Sequence, residues 1–133
     1  MHLRRKNRRS RGAAAVEMAL IAPLLIALIM GQLESSRLGM VAQLLTTAAR
    51  EGCRVAVING NTQTKVQARV DAVLAGSGIS VGTVTPTSGW ATATTGTPIT
   101  VSFSIPYSSV SWLPTPWYLN GATVRASATM NRE

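Results

Sequence analysis

Chemistry-bearing side chains are scarce in this chain of 133 residues. It has one cysteine, Cys53, so no intrachain disulfide can form. The expectation for Cys53 is a small residue packed in a helix, with an intermolecular disulfide as the alternative. The single histidine, His2, is far from Cys53 in sequence, and no metal set can be assembled from that pair. Acids number only five: Glu17, Glu34, Glu51, Asp71 and Glu133. None forms the close pair that acid–base catalysis needs. Serines are common but have no partner base. The glycines do not fall in a strand–loop–helix phosphate pattern. The expectation is a non-enzyme, with no catalytic residue, no metal and no cofactor.

What the chain does have is positive charge, unevenly placed. The formal net charge is +8. Six of the basic residues (Arg4, Arg5, Lys6, Arg8, Arg9 and Arg11) precede residue 12, with no acid among them. The remainder carries seven basic and five acidic residues, close to balance. A nucleic-acid-binding domain would spread its basic residues over a folded face. Here they form an arm against an apolar run, which is a topology signal. No nucleic-acid partner is expected.

The apolar run is Gly12 to Met30, GAAAVEMALIAPLLIALIM. About 20 apolar residues at ~1.5 Å each match a hydrocarbon core of ~30 Å. The pattern predicts a basic cytoplasmic leader over residues 1–12, a transmembrane helix over 13–31 and an extracytoplasmic domain over 32–133. The basic flank keeps the N-terminus in the cytoplasm of a single-pass protein of the inner membrane. Pro23 is tolerable there, because membrane helices re-satisfy the freed carbonyl locally. Glu17 is the one carboxylate inside the run. It is either a polar residue reaching the interface or an intramembrane carboxylate held for a partner charge. A cleavable secretory signal fits poorly. Gly31 could stand just before the cut, but Ile29 is too large for the position two before it.

Beyond the span, Leu38, Val41, Leu45, Ala48, Gly52 and Val55 recur at steps of three and four. That spacing continues the helix to about Ile58, with an amphipathic second half. Ala48 and Gly52 would let a sheet come close. Asn59-Gly60-Asn61-Thr62 ends it, and a second, short helix follows from about Thr62 to Leu74, with Gln67, Arg69 and Asp71 facing out. From Ile79 the pattern turns to strands. Ile79–Val81 and Trp90–Thr94 are weak candidates, whereas Ile99–Ile105 and Ala122–Met130 alternate strictly. The fold class is α+β: a long N-terminal helix, a short helix and a small antiparallel sheet of 3–4 strands. Between the last two strands, Pro106–Gly121 carries Tyr107, Trp112, Trp117 and Tyr118. Three readings stay open for these aromatics: a cover over the core, contact with a neighbouring subunit, or insertion into the membrane interface.

The string Arg11-Gly12-Ala13-Ala14-Ala15-Val16-Glu17 resembles the processing site of bacterial prepilins and pseudopilins. Together with RGAAAVEMALIAPLLIALIMGQLESSR, Ala48-Ala49-Arg50-Glu51-Gly52 and the closing Ala126-Ser127-Ala128-Thr129-Met130, it is similar to the TadE-like family, the pseudopilins of the tight-adherence (Flp) pilus system. The resemblance implies a pilin-like fold and cleavage by a prepilin peptidase between Gly12 and Ala13. It also implies that Glu17, then the fifth mature residue, takes part in assembly with other pilins or pseudopilins of that machinery. Met18 departs from the family, which usually has an aromatic after the Glu. Two alternatives remain: an uncleaved, single-pass anchored adaptor that binds other envelope proteins, and a soluble domain released after about Gly31.

Overall fold

The computed structural model describes residues 6–112 and 121–133, with side chains from residue 12 onward. Helix α1 spans Lys6–Ala56 and continues through Pro23. Helix α2 spans Gln63–Leu74. Three strands follow: β1 (Thr85–Pro86), β2 (Pro98–Pro106) and β3 (Thr123–Asn131), with short 3-10 turns at Trp90–Thr92 and Tyr107–Ser109. The fold is therefore α+β, as expected. The chain divides into two compact units, Met1–Ser36 and Arg37–Glu133. The sequence pattern placed the boundary at 31/32, where the apolar run stops.

In the first unit, the side chains of α1 from Val16 to Leu33 are almost all exposed. They include Leu20, Leu24, Leu25, Ile26, Leu28 and Ile29. By length and composition this is the one described helix able to cross a membrane.

The second unit is built on the amphipathic half of α1. Val41, Leu45, Ala48, Ala49, Gly52, Cys53 and Ala56 are buried, while Gln43, Thr47, Arg50 and Arg54 face water. The spacing of three and four thus becomes a packed stripe. Val66, Val70 and Leu74 of α2 close on the same core.

The sheet has the order β1-β2-β3, antiparallel throughout. Strand β2 buries Ile99, Val101 and Ile105, and β3 buries Val124 and Ala126. The intervening Ser102, Ser104, Arg125, Ser127 and Thr129 lie on the exposed face. This is the period-two alternation of a half-covered sheet. Pairing runs from Pro98↔Asn131 to Pro106↔Thr123. The same register continues beyond both ends, where Arg132 N–H donates to Thr97 O (2.9 Å) and Tyr107 N–H to Ala122 O (2.8 Å).

Two strand expectations fail for local reasons. Trp90–Thr92 is a 3-10 turn because Gly89 enters the left-handed region (φ 76°) and its carbonyl accepts Thr92 N–H at 3.1 Å. Ile79–Val81 makes no strand, and pairing begins only at Thr85. Side chains of α2 occupy the backbone of Val84 instead. Its N–H donates to Gln67 Oε1 (2.8 Å), and its carbonyl accepts from Gln63 Nε2 (3.2 Å). Gln67, assigned outward by the helix pattern, is in fact half-buried and holds this segment to α2.

Candidate functional site

Gly12 and Ala13 lie within α1, and both are exposed. The space around Gly12 is open, with nothing within 4 Å of an added Cβ. Four residues after Ala13, one turn along a helix, comes Glu17. Its carboxylate is exposed between Val16 and Met18, each 64% exposed. Arg11 is helical as well. Gly12, Ala13 and Glu17 thus share one accessible helical segment beside a stretch of uncovered apolar side chains.

The four aromatics do not form one surface. Tyr107 is only 1% exposed and belongs to the core cluster of the second unit. It cannot present its ring to a neighbouring subunit, which corrects its assignment as a contact residue. The cause is local: residues 107–109 form a 3-10 turn at the end of β2, and Tyr107 O accepts the N–H groups of Val110 and Ser111 at 3.0 Å each. Trp112 is 66% exposed. The Arg37 guanidinium lies over its ring, with Cζ 4.9 Å from the centroid, and Arg37 Nε donates to Val110 O at 3.3 Å. A cation over an indole face is attracted by the ring quadrupole. Trp117 and Tyr118 lie outside the described residues.

Cys53 is buried and free, with its thiol donating to Ile99 O at 3.3 Å. Burial pushes the thiol above its ordinary range, against weaker lowering by backbone hydrogen bonds. A protonated, enclosed thiol is a poor nucleophile and a poor partner for disulfide formation. Among the described residues, no group of three His, Cys, Asp or Glu side chains could hold a metal ion.

Two polar clusters of the second unit were only partly read from the sequence, which gave the i, i+3 spacing of Glu51 and Arg54 as a helical ion pair and not the rest. Glu51 of α1 accepts from Arg69 of α2 (2.7 Å to Nη2, 3.2 Å to Nε) and from Arg54 (3.4 Å). The hydrogen bond from Arg69 is the largest cause holding the Glu51 carboxyl below its usual range. Only the Arg54 contact follows from helical spacing.

Arg132 is 4% exposed. Its Nε donates to Asn59 Oδ1 at 3.1 Å, its Nη1 to Trp90 O, and its Nη2 to Asn59 Oδ1 and Ala91 O. It therefore ties the end of β3 to the α1–α2 turn and the Trp90 turn. Asn59, read as a helix-ending residue, was the visible half of this pair. Nothing in the spacing of a penultimate arginine pointed to the other half.

A single helix long and apolar enough to cross a bilayer, followed by an α+β head, fits a single-pass membrane anchor carrying a small folded domain. Residues 12–54 of the chain match the family model described as TadE-like protein, the family that the sequence resembles. The match starts at Gly12 and ends within the packed half of α1. No curated protein and no solved structure matches the chain.

Proposed function

We propose that this chain is a pseudopilin that acts in assembly of a tight-adherence pilus or a related envelope apparatus. The carrying observation is the TadE-like match beginning at Gly12, on an exposed apolar helix that holds one carboxylate, Glu17, five positions on. In this reading the basic arm stays cytoplasmic, residues 13–31 cross the inner membrane, and the head lies on the far side. A prepilin peptidase cuts after Gly12. The new amine of Ala13 then meets Glu17 of an adjoining subunit. Two opposite charges in a low-dielectric layer attract strongly but also pay desolvation, so the pair sets register more than raw affinity. The uncleaved adaptor is the second reading, favoured by Met18 in place of the family's aromatic.

N-terminal sequencing of the membrane-extracted protein separates these outcomes. A start at Ala13 supports the pseudopilin. A start at Met1 supports the adaptor. A start at Gln32 shows a released domain and removes both.

A further inference from the structure

The two edges of the sheet are finished differently. Along an antiparallel strand, residues turn their N–H and C=O alternately to one side and the other. Arg132 N–H donates to Thr97 O, and Ala122 O accepts from Tyr107 N–H, so the even-numbered residues of β3 bond to β2. Thr123, Arg125, Ser127, Thr129 and Asn131 therefore turn theirs outward. All five are exposed, and among the described residues nothing occupies those backbone groups. The strand has no proline and one charge, Arg125. The opposite edge is closed. On β2 the outward residues are even-numbered: Pro98 and Pro106 have no N–H to offer, and Thr100 N–H donates to Thr87 Oγ1 at 2.9 Å. On β1 the backbone of Val84 is taken by Gln67 and Gln63, and Pro86 again has no N–H. Natural sheets guard their edges because unpaired backbone groups template another strand. Here one edge is guarded and the other, nine residues long, is open.

We propose that the outer edge of β3 takes up an extended segment of a different protein by strand addition, with a carboxylate of that segment opposite Arg125. Main-chain hydrogen bonds supply the affinity and the cross-strand charge pair supplies the register. A second copy of this chain fits poorly. Its β1 edge is capped, so head-to-tail pairing with β3 is blocked. An antiparallel β3–β3 pair is blocked by direction. Arg37 of α1 bonds to Val110 O beyond the end of β2, and Cys53 bonds to Ile99 O at its start, so α1 runs antiparallel to β2 and parallel to β3. Two heads joined that way receive their chains, at Arg37, at opposite ends of the joined sheet, which does not suit two spans in one bilayer. A parallel pair of the same edge matches its pleats only one residue out of step, so it has no exact two-fold. The choice of a different protein rests on the membrane-anchored reading above, whereas the open edge does not.

The test uses the full chain in detergent micelles and labelled, capped peptides of alternating threonine and valine, with either glutamate or lysine at the centre. A third peptide carries the glutamate but is N-methylated throughout, which removes its edge donors and keeps its side chains. Fluorescence anisotropy should show saturable binding of the glutamate peptide, roughly threefold weaker binding of the lysine peptide, and none of the methylated one. Arg125→Ala should erase the difference between glutamate and lysine. Ser127→Pro removes one outward N–H and spares the ladder to β2, so it should weaken binding roughly tenfold. An unchanged unfolding midpoint shows that this variant keeps its fold; if the midpoint falls, the methylated peptide and Arg125→Ala still decide. No saturable binding of the glutamate peptide overturns the proposal and leaves the anchored reading standing. Binding that survives methylation places the peptide elsewhere and overturns it too. Equal affinity for glutamate and lysine overturns the acidic partner. A dimer in sedimentation that Ser127→Pro dissociates puts a second copy on the edge, which overturns the different protein and counts against the anchored reading as well.

Discussion

Gly52 of α1 lies so close to Val70 of α2 that a Cβ at position 52 would stand 2.7 Å from Val70 Cγ2. The same Cβ would lie 3.6 Å from Val101 Cγ1 of the sheet. The first distance requires something to move, and Val70 is a fully buried, stiff β-branched side chain. The helix crossing thus depends on a missing methyl group. Gly52→Ala should destabilise the head by about 1–3 kcal/mol through overpacking, offset in part by ~1 kcal/mol of helix propensity. Gly39→Ala, where nothing lies within 4 Å, should stabilise by roughly 0.5–1 kcal/mol. Denaturant unfolding of the detergent-solubilised chain, followed by tryptophan fluorescence, reads both. Changes of the same sign would show that position 52 is not a close crossing.

Arg132 gives the second prediction. Its guanidinium serves three acceptors on two segments distant in sequence: Asn59 Oδ1, and Trp90 O with Ala91 O. Removing it breaks part-buried hydrogen bonds from a charged donor, each worth about 1.5–3 kcal/mol. Arg132→Ala should lower stability by at least that much. Arg132→Lys should restore little, because an ammonium lacks the planar fork that spans separate acceptors. A C-terminal arginine that merely hung in water would give no change in the unfolding midpoint for either variant.

Acid should weaken the head through Glu51. Arg69, then Arg54, holds its folded carboxyl below the usual value of 4.5. A depressed folded value means that the unfolded chain takes up protons first. The contribution is complete above about pH 4.5 and is lost as pH falls through the lower, folded value. Glu51→Gln should therefore flatten the acid limb of a Tm-versus-pH curve while leaving its neutral part nearly parallel. The ion pairs are solvent-exposed, so added salt should shrink the difference between the two proteins. A salt-independent difference would point to packing by Glu51 instead.

How much of this was legible in the sequence depended on whether the signal was periodic or positional. The stripe from Leu38 to Val55 and the alternation from Ile99 to Ile105 each repeat one instruction, and the structure follows both. Gly52 was recognised as a small residue that lets the sheet come close, and Val101 Cγ1 of the sheet would lie 3.6 Å from an added Cβ. The closest atom, which belongs to α2, was not foreseen, because periodicity names the buried face and not its neighbours. Ile79–Val81 and Trp90–Thr94 were too short for their β pattern to outweigh local backbone N–H bonds to Ser77 Oγ, Gln67 Oε1 and Gly89 O. Tyr107 was grouped with Trp112 by proximity in sequence. A single 3-10 turn sends one into the core and leaves the other exposed. Arg132 escaped notice because its partners lie more than forty residues away, where no local spacing rule reaches.

On the proposed pseudopilin reading, with cleavage before Ala13, Glu17 separates insertion from assembly. The side chain is exposed on an apolar helix, and a carboxylate in a membrane segment costs up to ~2.5–3.5 kcal/mol on insertion scales. Glu17→Ala removes that cost, so membrane insertion should be at least as complete as in the parent. Assembly should move the other way, because the amine freed at Ala13 would lose its counter-charge and pay its own desolvation unpaired. Glu17→Gln keeps the shape and loses the charge, so it should assemble as poorly as the alanine variant. The measurement is paired: the amount of each protein in the washed membrane fraction, and the amount recovered in sheared surface filaments. Full membrane levels with depleted filaments assign the carboxylate to subunit register. Equal filament recovery for all three proteins would reduce Glu17 to a polar residue that the bilayer tolerates.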